Sequence, residues 1–194
     1  MMDIRALRTN INANGADTSE WLTVRAICFE GGAEEMRTIK IKKNTLGDTR
    51  TAERIPTIEE FEKSNVYHKE DVKSMMAEIA SDIELQSFSH DYTKTSEPEA
   101  SLFYRELCAT IDGKMDFEKG EWYPMHCQRE RHHLKQHCPE DVNLIDVIEM
   151  ICDCVCAGMA RSGSVYPVKI PNEILQQAVE NTVQMCIDAV EVEE

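Results

Sequence analysis

Residues 142–160, VNLIDVIEMICDCVCAGMA, decide the fold class. Val142, Leu144, Ile145, Val147, Ile148, Met150, Ile151 and Val155 make this stretch almost wholly apolar. Its length marks it as one long helix rather than a strand. Pro139 and Asp141 lead into it, and Gly163 ends it or lies just beyond. Against the apolar background stand three acids, Asp146, Glu149 and Asp153, spaced i, i+3 and i+7. A stripe of this kind can be a narrow solvated edge. Its alternative is a carboxylate turned inward, which must then be paired or coordinated.

The helical pattern continues on both sides. Downstream, Pro171-Asn172 opens a last helix with a stripe of Ile174, Leu175, Ala178, Val179, Thr182, Val183, Cys186 and Val190. Upstream, residues 125–137 read as helical. Ser96-x-x-Glu99 with Pro98 between reads as a capping box for a helix to about Thr110. Val72, Met75, Met76, Ile79 and Ile83 mark a first helix, and Leu85 and Phe88 lead into a second that carries His90-Asp91. The expectation is a mainly α protein, a bundle of five or six helices.

Before residue 58 the character changes. Residues 1–18 are polar and weakly patterned. Leu22, Val24, Ala26 and Cys28 alternate, Glu30 to Ala33 make a turn, and Met36 to Ile41 alternate again, which predicts an N-terminal β-hairpin. Residues 43–57 read as a linker. The expected organisation is an arm, hairpin and linker over 1–57 and a helical domain over 58–194. Charge divides at the same place. Residues 1–57 sum to +1 and residues 58–194 to −16 within a net charge of −15. So acidic a helical region argues against duplex nucleic acid as partner, because phosphate contacts need clustered Lys and Arg. No stretch approaches the roughly 20 apolar residues of a membrane span, and MMDIRALRTN has no apolar run of a signal peptide. The expectation is a cytoplasmic protein with reduced cysteines. An exposed hairpin edge invites pairing with a second chain, hence a homodimer.

All six histidines lie between His68 and His137. His126, His133 and His137 share one face if residues 125–137 are helical, with His132 about 100° away. Imidazoles near carboxylates suit Mn, Fe, Co or Zn. A solvated polar face would give the same stripe.

His90-Asp91-Tyr92-Thr93-Lys94 resembles the HDxxK signature of the HD superfamily of metal-dependent phosphohydrolases. His68 stands where that superfamily has its first His, and Asp153 stands like its closing Asp within a late helix. His132-His133 resembles the paired His of the branch that binds two or more metals, with His126 as the His before it. The chain is also similar to an uncharacterised HD-like family of phages and bacteria, through residues 90–94, Trp122 to His133, and Glu149 to Asp153. It departs from the multi-metal branch in the short spacing from His126 to His132 and in lacking a GYP segment.

The resemblance implies an HD-like bundle in which His68, His90, Asp91 and Asp153 hold a divalent metal (Mn, Fe, Co, Zn or Mg; one ion or two). It implies hydrolysis of a nucleotide or other small phosphate ester by a metal-activated water. His126 and His133 would hold a second ion or act as general acid, and Lys94 would neutralise the phosphate. Arg129 and Arg131 are candidate phosphate contacts, weaker than the rest, and Glu149 and His132 would support the ligands from behind. If phage-encoded, the protein would work in the host cytoplasm. Two other readings stand beside this one. One is a non-enzymatic acidic interaction or inhibitor protein on the same scaffold. The other is a structural zinc site from Cys127, His132 or His133, His137 and Cys138.

Overall fold

The structure is a computed structural model that describes residues 38–43 and 47–193. It is mainly helical, as the apolar periodicity predicts. Among the described residues five α-helices run in order: α1 Ile58–Ser89, α2 Glu99–Ile111, α3 Trp122–Arg129, α4 Leu144–Ser162 and α5 Asn172–Asp188. Two short strands, β1 Ile39–Lys42 and β2 Val190–Glu193, pair in parallel with Ile39 opposite Val190 and Ile41 opposite Val192. Arg37–Glu194 forms one compact unit.

Where a first and a second helix were expected before the His-Asp doublet, a single helix of 32 residues runs through. The reason is in the sequence: no Gly or Pro interrupts it between Ile58 and Pro98. Thr57 and Glu60 close a capping box at its start, with Glu60 N to Thr57 Oγ1 at 3.2 Å and Thr57 N to Glu60 Oε2 at 2.8 Å. The expected box at Ser96 does not form. Pro98 itself caps α2 and offers no side-chain acceptor, and Ser96 gives its carbonyl to Ala100 N.

The expected hairpin lies mostly outside the described residues, since residues 22–37 are among those not described. Its last part, Ile39–Lys42, is indeed extended, but its partner is the C-terminal strand. Val190, expected on the stripe of the last helix, belongs to that strand. One residue fits either period, and Val190-Glu191-Val192-Glu193 alternates strictly by two. Lys40 meets Glu193 across the pair at 3.2 Å.

The core centres on Leu134, Val142, Val147, Met150 and Ala178. It clamps α4 between α5 and the segment that follows α3. Thr182 Oγ1 on α5 accepts from Leu144 N at 2.9 Å and donates to Ala178 O at 2.7 Å, while Asn181 Nδ2 donates to Val142 O at 2.7 Å. At the start of α4, Asn143 Oδ1 accepts from Ile145 N at 2.8 Å and Asp146 Oδ2 accepts from Asn143 N at 2.9 Å. Gly163, at φ +69°, ends the helix in the left-handed conformation that favours glycine. These caps fix the rotation of α4, so Glu149 and Asp153 face the end of α1.

Candidate metal centre

His90 and Asp91 do not ride on a helix. His90 caps the C-terminus of α1, and Asp91 takes a left-handed conformation at φ +56° that reverses the chain into a 3-10 turn over Tyr92–Lys94. Aspartate tolerates that region better than most residues. The reversal turns the Asp91 carboxylate back toward His90 and brings Lys94 into an ion pair with it, across the turn rather than along a helix face.

The second wall comes from α3 and the loop after it. Glu106 of α2 caps α3, taking Glu121 N and Trp122 N at 3.0 Å each. Gly120 lets it do so, for a Cβ there would lie 2.2 Å from Glu106 Oε2. The Trp122 ring stacks on His126 at 4.3 Å and 16°. The helix then stops at Arg129, and Glu130 is extended. The expected helix over 125–137 is therefore only Trp122–Arg129, and the predicted stripe of His126, His133 and His137 does not exist. His132 and His133 leave the helix and turn inward, whereas His137 stays exposed.

The third wall is α4. Glu149 Oε1 accepts from His90 Nδ1 at 2.8 Å and Glu149 Oε2 accepts from Gln86 Nε2 at 2.7 Å. His132 Nδ1 lies 3.0 Å from the same Oε1 but out of line, so this buried nitrogen has no hydrogen-bond partner. Asp153, one turn on, places Oδ1 3.8 Å from His90 Nε2.

At the centre is Asp91 Oδ1, buried and without a hydrogen-bond partner. It stands 3.4 Å from His126 Nε2 and 3.8 Å from His132 Nε2. His126 Nε2 and His133 Nε2 are 2.8 Å apart. One ligand atom from each of Asp91, His126, His132 and His133 falls within 4.8 Å of the others, and the same holds for His90, Asp91 and Asp153 and for His90, His132 and Glu149. Neighbouring ligands about 2.0–2.2 Å from one ion lie about 3–3.6 Å apart. The Asp91 group, with pairs at 2.8, 3.4 and 3.8 Å, brackets that spacing and has a nitrogen–oxygen donor set that could hold a transition metal.

Protonation favours the same use. Burial, then the neighbouring His133, holds His126 down at about 3, and burial, then His132, holds His133 at about 4. Both are neutral near pH 7, which is the ligating form. Burial pushes Glu149 up, but the His132 imidazole close beside it and the hydrogen bonds from His90 and Gln86 outweigh it and hold Glu149 at about 2. Its hydrogen bond to Glu149 raises His90 above the ordinary imidazole value. For Asp91, burial is the largest single influence and acts upward, yet Lys94, His90 and His126 together bring it below the usual carboxylate range.

Of the expected ligands, His90, Asp91, Asp153, His126 and His133 come together. His132, expected behind the ligands, stands among them, while Glu149 lies where expected, behind His90. His68 does not join. It is exposed on α1, 22 residues before His90 on the same unbroken helix and so about 33 Å away along the axis. Arg129 and Arg131 are engaged elsewhere: Arg129 pairs with Glu99, and Arg131 grips buried Asp146 with two bonds of 2.7 and 2.9 Å and reaches Asp141 at 3.1 Å. Neither faces the site as a phosphate contact. Among the described residues, the converging groups include no cysteine and no His137, so the zinc site expected around Cys127 and Cys138 is not assembled. Thr93 and Glu130, which sequence reading passed over, are buried against His126.

The model of a family described as a family of unknown function (DUF5662) matches residues 57–188, and the chain belongs to that family. No curated protein and no solved structure matches it.

Proposed function

We propose that this member of the DUF5662 family is a metal-dependent phosphohydrolase acting on a nucleotide or other small phosphate ester. The observation that carries the proposal is Asp91 Oδ1: a buried carboxylate oxygen with no hydrogen-bond partner, faced by three imidazoles. The other oxygen of this carboxylate pairs with Lys94, but a buried acceptor left unsatisfied costs about 1–3 kcal/mol, and a cation at that point would remove the cost. Asp91, His126, His132 and His133 would hold the ion. Asp91, His90 and Asp153 would border a second position, with Asp91 shared between the two. A divalent ion there supplies Lewis acidity at a phosphoryl oxygen and makes water acidic enough to ionise near neutral pH.

The chain's own residues divide the remaining work. Glu149 holds His90 by Nδ1 and so leaves His90 Nε2 facing the site. His126, His132 and Glu149 form the floor, since their side chains are 3%, 2% and 9% exposed. His90, Asp153 and Lys94 form the rim, at 32%, 29% and 29%. The substrate therefore enters on the rim side. Lys94 is the cation there and would answer charge developing on the phosphate. His126 and His133, held neutral, are ligands in this reading rather than general acids.

A second reading has one observation in its favour. Leu175, Val179, Val183 and Ile187 form an i+4 ladder on α5 that is 40–56% exposed, an apolar stripe suited to a protein partner. The test separates the two. Purified protein and the variants Asp91→Ala and His126→Ala are assayed for bound transition metal and for hydrolysis of nitrophenyl phosphates and a nucleotide panel with Mn²⁺. One or two ions per chain, lost in both variants together with hydrolysis, support the proposal. No metal after incubation with Mn²⁺, Fe²⁺ or Zn²⁺ sinks it and leaves the interaction protein.

A further inference from the structure

We infer that Thr93 and Glu130 are positioning residues that fix the proton of His126 on Nδ1 and thereby leave its Nε2 lone pair turned into the site. The inference rests on the metal-centre reading for its purpose, but not for its geometry. Glu130 Oε1 accepts from Thr93 N at 2.8 Å. A backbone N–H can only donate, so this carboxyl oxygen is an acceptor, whether or not Glu130 carries a proton on its other oxygen. Thr93 Oγ1 lies 2.6 Å from that same oxygen and therefore spends its only proton there. Thr93 Oγ1 is also 2.6 Å from His126 Nδ1. With its proton committed, the hydroxyl can only accept at that contact, so His126 Nδ1 must be the N–H. The neutral ring then has its lone pair on Nε2, the nitrogen 3.4 Å from Asp91 Oδ1 and 2.8 Å from His133 Nε2.

Water does not compete for these bonds. Thr93 is 0% exposed, Glu130 3% and His126 2%. The stacked Trp122 ring fixes the imidazole plane, so the chain of bonds sets the tautomer and the stacking sets the direction. Support of a ligating imidazole through its other nitrogen is a general means of raising ligand affinity, commonly ten- to a hundredfold. Here the carboxylate acts through an intervening hydroxyl, and the hydroxyl comes from the turn that carries Asp91. One short turn and its N-cap residue thus supply a ligand and orient another.

The test uses the full chain, metal-free and labelled with ¹⁵N at histidine, as wild type, Thr93→Val and Thr93→Ser. Long-range ¹H–¹⁵N correlation reads the tautomer, and Co²⁺ titration reads the affinity. The expected result is an Nδ1–H tautomer for His126 in wild type and Thr93→Ser, and a mixed or Nε2–H form in Thr93→Val with Co²⁺ affinity down about ten- to a hundredfold. An Nε2–H tautomer in the wild-type protein overturns the inference and needs no variant to do so. Unchanged tautomer and affinity in Thr93→Val overturn it as well. If none of the proteins binds Co²⁺ but the tautomers behave as expected, the positioning role stands and the metal reading falls.

Discussion

The Nε2 atoms of His126 and His133 face each other at 2.8 Å, one from α3 and the other from the loop that follows it. Two imidazolium ions cannot sit this way. Burial, helped by His133 beside His126 and by His132 beside His133, holds the pair at about 3 and about 4, against an ordinary value near 6.5. Between about pH 6.5 and 4 the unfolded chain takes up protons at these positions that the folded chain refuses, so stability falls as pH falls through that window. Glu149, held at about 2, adds a loss at lower pH, below the ordinary carboxylate value. His90, shifted the other way, acts above about pH 6.5: its contribution grows as pH falls toward that value and is constant below it, so it leaves the decline beneath pH 6.5 unopposed. Thermal melts of the metal-free protein should show Tm declining steadily below pH 6.5, and His126→Ala should flatten that slope. A Tm constant from pH 7 to pH 5 would contradict the pairing.

Glu149 is the residue on which the two sides of the site depend, because one oxygen serves His90 and faces His132. Glu149→Gln keeps the shape but removes the charge. We expect metal affinity to fall about ten- to a hundredfold, the usual effect of removing a group that supports ligands. Far-UV circular dichroism should be unchanged. Isothermal titration with Mn²⁺ or Co²⁺ measures the effect, and wild-type affinity in the variant would show that Glu149 is only a structural acid.

His68 gives a prediction in the opposite direction. The superfamily resemblance makes it a ligand, and the structure puts it on the solvent face of α1, near Asp48 rather than Asp91. His68→Ala should leave metal content unchanged and move stability by no more than about 0.5 kcal/mol, as surface substitutions do. Loss of metal in this variant would mean that α1 does not run straight through to Ser89.

What the sequence carried and what it hid follow from range. The α4 helix, its closing Gly163 and its acid stripe are local, and periodicity marked them, while the Asn143 cap passed unread and the direction of the acids stayed open. The HD pair and the His pair were likewise visible as residue types. Whether they meet depends on two helix ends, at Ser89 and Arg129. Neither end has a glycine or proline to announce it. α1 therefore ran on through an expected break, which carried His68 away. α3 stopped short of its expected end, which freed His132 and His133 to turn inward. Thr93 and Glu130 carried no signal because their partnership spans 37 residues and each is unremarkable alone. The parallel β1–β2 pair joins the two ends of the unit, the longest range of all.

Arg131 marks where structure replaces a supposed substrate contact. Its guanidinium takes both oxygens of Asp146, which is 1% exposed and also caps α4 through Asn143 N. Burial of a carboxylate beside a bidentate guanidinium is tolerable, but burial without it leaves a charge largely uncompensated. Arg131→Met should therefore destabilise the fold by about 2 kcal/mol, below the roughly 3–5 kcal/mol for wholly buried pairs because Arg131 is a third exposed. The double variant Arg131→Met/Asp146→Asn should recover part of the loss, since the amide can still cap α4 with no charge to answer. Urea denaturation of the four proteins closes the cycle. Activity per folded molecule should be unchanged in Arg131→Met, because the side chain faces α4 and not the rim where His90 and Lys94 lie. A raised KM with unaltered stability would return Arg131 to the substrate and remove it from the frame.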